Sequence, residues 1–346
     1  MTEIEQRKIE HLDVVMSGAA NSKNATTGFE LVRFEHNALP ELELDAVDLS
    51  VPFLGRMMTA PLLISSMTGG PRLAAMMNRH IAEACGEVGI GFGVGSQRIA
   101  LEGGATAGFG KELRAAAGDV PILANFGAAQ LRTWDGTEMA RRAVEMISAD
   151  ALIIHLNPLQ EALQPDGDRN WTGILGAIEA LCRQCEFPIV VKEVGAGISP
   201  SNAQRLVDAG VAVIDVAGVG GTSWAAVEAA RSRSEREQRL AEAFRDWGIP
   251  TAEAVAGVRR QCPGTTVIAS GGIRDGIDCA KAIRLGADVV GLAGGVLQAA
   301  ADDTVALVDQ IAAVVKQLRI VCFCTGSRDL AQLRVAALAE KPGYVT

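Results

Sequence analysis

Ala151-Leu-Ile-Ile-His155-Leu-Asn157 is a short apolar run, and beyond an amphipathic stretch over 173–185 comes another, Pro188-Ile-Val-Val-Lys192-Glu-Val194. Both are rich in Val and Ile and bounded by turn formers, which reads as strands buried on both faces. Two such strands joined by a helix form a parallel unit. The same rhythm continues along the chain. Further runs lie at 61–67, 89–96, 121–125, 211–216, 265–270 and 288–293, with helical patterns at 73–88, 137–147, 201–209 and 277–285. Eight buried strands alternating with helices predict an α/β fold, the parallel (β/α)8 or TIM barrel. An open doubly wound sheet would want Gly-x-Gly-x-x-Gly after the first strand, and Met67-Thr68-Gly69-Gly70-Pro71 does not supply it.

At 346 residues the length alone suggests roughly two domains, but α/β barrels are routinely longer than about 150 residues as one unit. A single domain over 1–346 is expected, with an N-terminal extension or lid at 1–60, the barrel at 61–325 and a C-terminal tail at 326–346. Residues 231–246, of mixed charge, read as a solvated helix face. A composition with 49% hydrophobic and 21% charged residues excludes intrinsic disorder. The net charge of −9 argues against nucleic acid and anionic membranes as partners. No run of about 18 apolar residues is present, so no membrane span is expected. MTEIEQRKIEHL has no apolar core like that of a signal peptide. With seven cysteines read as free thiols, this points to a reducing, cytoplasmic setting. Cys182 and Cys185 have no second pair of metal ligands to join.

In a barrel, chemistry sits at the C-terminal ends of the strands. Ser270-Gly271-Gly272-Ile273-Arg274 and Ala293-Gly294-Gly295 close the seventh and eighth strands, the usual place for a phosphate held by backbone N–H groups. Lys192 inside a buried strand needs a partner, and Schiff-base and cofactor roles are both open to it. His155 and Asn157 are two apart and share a face, with Gln160 and Glu161 close behind. Glu161 could give oxygen to Mg2+, which takes one or two carboxylates plus ligand phosphates. Arg98, after Ser96 and Gln97, carries a fork suited to phosphate. Trp224 is either a stacking wall or core, and Glu228 lies one turn beyond it. Read alone, the Arg7-Lys8-Ile9-Glu10-His11 cluster is a solvated tail.

Together these segments resemble a known family. Arg7-Lys8-x-Glu10-His11-Leu12, Ser65-Ser66-Met67-Thr68-Gly69-Gly70, Gly95-Ser96-Gln97-Arg98, His155-Leu156-Asn157-Pro158-Leu159-Gln160-Glu161, Lys192-Glu193-Val194-Gly195, Gly220-Gly221-Thr222-Ser223-Trp224 and Ser270-Gly271-Gly272-Ile273-Arg274 are similar to the flavin-dependent type 2 isopentenyl-diphosphate Δ-isomerases, in that family's order. The resemblance implies interconversion of isopentenyl and dimethylallyl diphosphate without net redox change. It implies reduced FMN as acid and base, Mg2+ on the diphosphate, and NADPH used only to reduce the flavin.

By the same resemblance, Ser65, Ser66, Met67, Thr68, Ser96, Asn125, Lys192 and Thr222 line the flavin, while Gly271, Gly272, Ala293 and Gly294 hold its phosphate. Arg7, Lys8, His11, Ser96, Gln97, Arg98, Asn157, Gln160 and Trp224 face substrate. Gln160, Glu228 and His155 serve catalysis, and Glu161 binds the metal. A homo-oligomer, tetramer or octamer, is expected, and the N-terminal cluster then folds over a neighbouring subunit or its own barrel mouth when diphosphate arrives. Beside a nucleotide dehydrogenase with a catalytic Cys, for which no Cys lies on a strand-end loop, two rivals share the barrel. A flavin-dependent 2-hydroxy-acid oxidoreductase wants a His–Arg pair, yet the four histidines stand at 11, 36, 80 and 155, none of them on the sixth or seventh strand end. The other is a non-catalytic barrel that merely binds flavin or phosphate.

Overall fold

A computed structural model describes residues 3–67, 71–106 and 108–339, with backbone alone over 3–9 and 71–74. An antiparallel hairpin of β1 (Val51–Phe53) and β2 (Arg56–Met58) precedes eight parallel strands. These are β3 (Leu62–Ile64), β4 (Gly91–Gly93), β5 (Ile122–Gly127), β6 (Ala151–Leu156), β7 (Ile189–Glu193), β8 (Val213–Asp215), β9 (Thr266–Ala269) and β10 (Val289–Leu292). They close in the order β10-β3-β4-β5-β6-β7-β8-β9, the TIM barrel that the alternating pattern predicts. Helices Pro71–Val88, Gly136–Ile147, Ile174–Gln184, Pro200–Asp208 and Gly276–Leu285 stand where the periodicity puts them. The mixed-charge stretch forms the helix Glu235–Glu242.

Each barrel strand alternates between an outward side chain, buried under the helices, and an inward one. The lower inward layer is apolar: Leu63, Leu123, Ile153, Val190, Val213, Ile268 and Val289 pack together with Phe53 and Met58 of the hairpin. The hairpin therefore plugs the N-terminal end. Its two-residue turn needs positive φ at both positions, met by Leu54 at 50° and Gly55 at 78°. Arg56 ties it down through Asp119 and through Asp150, the latter at 2.7 Å.

One device recurs four strands apart. Arg114 donates to Gly118 O (2.9 Å), Val120 O (2.7 Å), Ser148 O (3.2 Å) and Asp150 (2.6 Å), and Asp150 accepts from Ile122 N at 2.9 Å. Arg259 repeats the pattern with Pro263 O (2.7 Å), Thr265 O (2.9 Å), Gly286 O (2.8 Å) and Asp288 (2.5 Å), and Asp288 accepts from Val267 N at 2.9 Å. The two half-barrels thus share a joint that ties a helix C-terminus to the foot of the following strand pair.

The C-terminal stretch packs on the barrel. Leu330 and Leu333 are buried, Arg334 donates to Asp288 at 2.9 Å, and Ala339 N donates to Arg33 O at 2.8 Å. The long helix Thr304–Cys324 carries no membrane-spanning run, nor does any helix among the described residues.

Candidate active site

The upper inward layer is polar. Two residues above the apolar layer stand Ser65, Asn125, His155, Lys192, Asp215 and Ser270, with Gly291 on β10. Asn125 Nδ2 donates to Val94 O at 3.1 Å, which turns its oxygen toward His155 Nδ1 at 2.9 Å. The hydrogen of His155 is therefore on Nδ1. Lys192 is register partner to His155 on one side and to Asp215 on the other. Its Nζ donates to Glu193 O at 2.6 Å and lies 4.0 Å from Asp215 Oδ2. Ser270 Oγ donates to Asp215 Oδ1 at 2.6 Å. Burial pushes the Asp215 carboxyl up, against the pull of Lys192 and Ser270. Glu193 faces the other way, where its Oε2 accepts from Val194 N, Gly195 N (each 2.7 Å) and Ala196 N (2.5 Å) and shapes the turn after β7.

The hydroxyl oxygens of Ser65 and Ser66 are buried with no hydrogen-bond partner among the described residues. A Cβ at Gly291 would come within 2.4 Å of Ser65 Oγ, and one at Gly93 within 2.8 Å of Ser66 Oγ. The wall glycines thus leave both hydroxyls room and no protein acceptor. Groups of this kind want a ligand.

The phosphate-type loops separate into two kinds. Gly271 (φ 103°) and Gly272 (φ 71°) are forced by the backbone, since a Cβ there would stand 2.1 Å from Gly218 O and 2.5 Å from Gly220 O. Gly294 and Gly295 are exposed, and the nearest atom to a Cβ on Gly294 would be Thr222 Oγ1 at 3.6 Å. They follow Ala293 and leave a cradle open. The N-terminal extension braces these loops through Ser22 N to Gly221 O (3.0 Å), Ser223 N to Ala20 O (2.7 Å) and Ala252 N to Thr27 O (2.9 Å).

A second polar chain lies beside the mouth. Pro158 opens the helix Pro158–Leu163, a position suited to proline, and brings Asn157, Gln160 and Glu161 together. Asn157 Nδ2 donates to Gln160 Oε1 (3.1 Å) and Glu161 Oε1 (2.9 Å). Gln160 Nε2 donates to Glu228 Oε1 at 3.0 Å, on the helix Trp224–Arg231. His11, on the helix Glu3–Met16, meets the same oxygen at 3.1 Å and stands edge-on to Trp224 at 5.1 Å between ring centroids. Arg231 joins Glu228 Oε2 (2.8 Å) to Glu10 (3.1 Å). Burial is the largest influence on the Glu228 carboxyl and raises it, but His11, Gln160 and Arg231 together outweigh it and hold the group below its ordinary value.

Glu161 Oε2 also accepts from Asp168 N at 2.7 Å. The Arg98 guanidinium lies at the rim between Glu102 (3.1 Å) and Asp168 (3.6 Å), and its backbone N–H donates to Ser96 Oγ at 3.5 Å. Met67 is partly buried against the core. Thr68 lies outside the described residues, as do the side chains of Arg7 and Lys8. Gln97 departs from the substrate-facing expectation. It is fully buried, with Nε2 on Ala143 O (2.9 Å) of the outer helix and Oε1 on Asn125 N (2.9 Å). Its amide braces the wall, because alternation turns it out of the mouth that Ser96 borders.

Asp215, Ser270 and Arg231 belong to this constellation; from sequence alone Asp215 is a strand residue, Ser270 only the start of a phosphate-type loop and Arg231 part of a solvated helix face. Alternation from Val213 places Asp215 on the inward face, but its register opposite Lys192 comes only with the closed barrel. Arg231 stands three residues from Glu228 on the same helix, a spacing that points to their pairing, while its second carboxylate partner, Glu10, comes from the distant N-terminal helix.

Comparison with known proteins follows this geometry. Residues 133–340 match the family model described as FMN-dependent dehydrogenase. The chain is 59% identical to the isopentenyl-diphosphate delta-isomerase of Stutzerimonas stutzeri over 96% of each chain. It is 56% identical to that of Cronobacter sakazakii, over 98% of this chain and 97% of the relative. Solved structures of a Pediococcus acidilactici lactate oxidase (TM-score 0.68, 17% identity, 98% of this chain and 94% of that one) and a mandelate oxidase (TM-score 0.65, 19% identity, 99% and 98%) share the fold. Near-complete coverage at such identity, on a flavin-type barrel with this mouth, leads to one conclusion: the chain belongs to the type 2 isopentenyl-diphosphate delta-isomerases.

Proposed function

We propose that the chain interconverts isopentenyl and dimethylallyl diphosphate, with FMN in the barrel mouth, Mg2+ on the diphosphate, and NADPH consumed only to reduce the flavin. The observation that carries this reading is the buried Asn157–Gln160–Glu228–His11 chain beside a polar-floored mouth whose two serine hydroxyls have no protein partner among the described residues. Those hydroxyls, with Asn125 and Lys192, suit the polar edge of a flavin ring. Thr222 and the open Gly294 suit its phosphate, with the N–H groups around Gly271, Gly272 and Ala293 close by. When bound and reduced, FMN supplies an electron-rich ring that gives and takes a proton and offsets positive charge at a tertiary carbon.

The chain's own residues place the substrate and hold protons. Gln160 Nε2 donates to Glu228 Oε1, and the ionised Glu228, oriented by that bond, is the group that takes up a proton on the alkene's side of the mouth. His155, with its Nδ1–H spent on Asn125, and Asn157 orient the chain end. Trp224 walls off water. Arg98 turns from Glu102 and Asp168 to the diphosphate, joined by Ser96, His11, Arg7 and Lys8 from a helix that acts as a lid. Glu161 gives Mg2+ one carboxylate, and the diphosphate and water supply the rest. No three acidic, His or Cys side chains among the described residues cluster to hold a metal without them. A cytoplasmic homo-oligomer, tetramer or octamer, without nucleic-acid or membrane partners, completes the reading.

The test is anaerobic turnover with FMN, Mg2+ and isopentenyl diphosphate, with and without NADPH. Dimethylallyl diphosphate in large excess over NADPH consumed is the expected result. No product with flavin tightly bound would overturn the substrate assignment. Reduction of the bound flavin by a 2-hydroxy acid would replace it with an oxidoreductase.

A further inference from the structure

We propose that Asp215, held by Ser270, is a positioning residue that supplies the counter-charge to Lys192 and thereby tunes how strongly the barrel favours reduced over oxidised flavin. This rests on the reading that FMN occupies the mouth.

Lys192 and Asp215 are register partners on adjacent strands, both pointing into the barrel, with Nζ 4.0 Å from Oδ2. Asp215 is 1% exposed, so its carboxylate answers to the barrel interior and not to solvent. Ser270 Oγ holds the other oxygen at 2.6 Å and fixes the rotamer. The chain spends strain at this strand end: Ala217, buried and not glycine, sits at φ 39°. Among the described residues Lys192 also has His155 across the β6 side and the Glu193 carbonyl beside it, and neither carries a negative charge that could balance an ammonium. The Glu193 carboxylate is taken by three backbone N–H groups on the far face.

A buried cation beside a ring that gains charge on reduction favours the reduced form, and an anion behind that cation weakens the effect. The pair is then a setting device. Lys192 pulls toward the reduced ring, and Asp215 limits the pull so that the oxidised cofactor is also retained.

The experiment measures oxidised and reduced FMN affinity and the midpoint potential of the holoenzyme. Asp215→Asn is expected to raise the preference for reduced flavin about tenfold, which for a two-electron couple is about 30 mV upward. Ser270→Ala shifts it the same way by less, and serves if the first variant folds poorly. On a Lys192→Met background Asp215→Asn changes little, because a buried carboxyl without its cation takes up a proton. An unchanged potential in both single variants, meaning a carboxyl that is neutral already, would overturn the proposal. So would equal shifts in both backgrounds. Failure of the wild-type protein to bind FMN at all would instead refute the function on which this rests.

Discussion

Glu228→Gln separates proton handling from mere clamping of the N-terminal helix. In the wild type, Oε1 accepts from Gln160 (3.0 Å) and meets His11 (3.1 Å), while Oε2 accepts from Arg231 (2.8 Å). An amide has one acceptor oxygen. Whichever way it turns, its NH2 faces a donor, and one charge-assisted bond is lost in a buried setting. That costs about 1–3 kcal/mol, and the melting temperature should fall by about 1–4 °C. Catalysis should suffer more, with kcat down about 10²–10⁴-fold, the range for a positioned proton-transfer group. FMN content should not change, since Glu228 contacts none of the serine, Asn125 or Lys192 groups.

Arg231→Met is the control. It cuts the link to Glu10 but leaves Glu228 with His11 and Gln160. Steady-state kinetics and thermal melts on both variants decide the matter. A kcat in Glu228→Gln within threefold of wild type, or losses equal to those of Arg231→Met, would reduce Glu228 to a clamp. The acid limb gives an independent check. The folded carboxyl lies below its ordinary 4.5, so its stabilisation is full above that value and disappears as pH falls through the lower folded one. Glu228→Gln should flatten that limb.

Gln160→Ala should lower kcat with FMN retained, and an unchanged kcat would remove Gln160 from catalysis. Phe53→Ala, in the hairpin plug, should cost about 3–5 kcal/mol in urea denaturation while sparing kcat at low temperature. Gly271→Ala should lose FMN or fold poorly, because φ is 103° and the new Cβ would meet Gly218 O; flavin absorbance per chain measures it. Chelating Mg2+ should abolish turnover without releasing FMN, and Glu161→Gln should raise the Mg2+ needed for half-maximal rate, read from a metal titration.

The barrel was legible because parallel strands under helices are apolar on both faces, and a run such as 188–194 announces itself. His155, Asn157, Gln160 and Glu161 were legible too, since strand alternation and one helical turn keep near neighbours together. Local order also determined that Lys192 sits inside a strand and needs a partner. Tertiary structure decided who that partner is. Asp215 comes from the next strand over, and register across a sheet is a property of the closed barrel rather than of either segment. It likewise decided that Gln97, read as substrate-facing, is a wall brace, and that a charged N-terminal helix meets Glu228 from 217 residues away. Local periodicity sets which face a side chain takes, but only burial of the whole chain sets what stands opposite it.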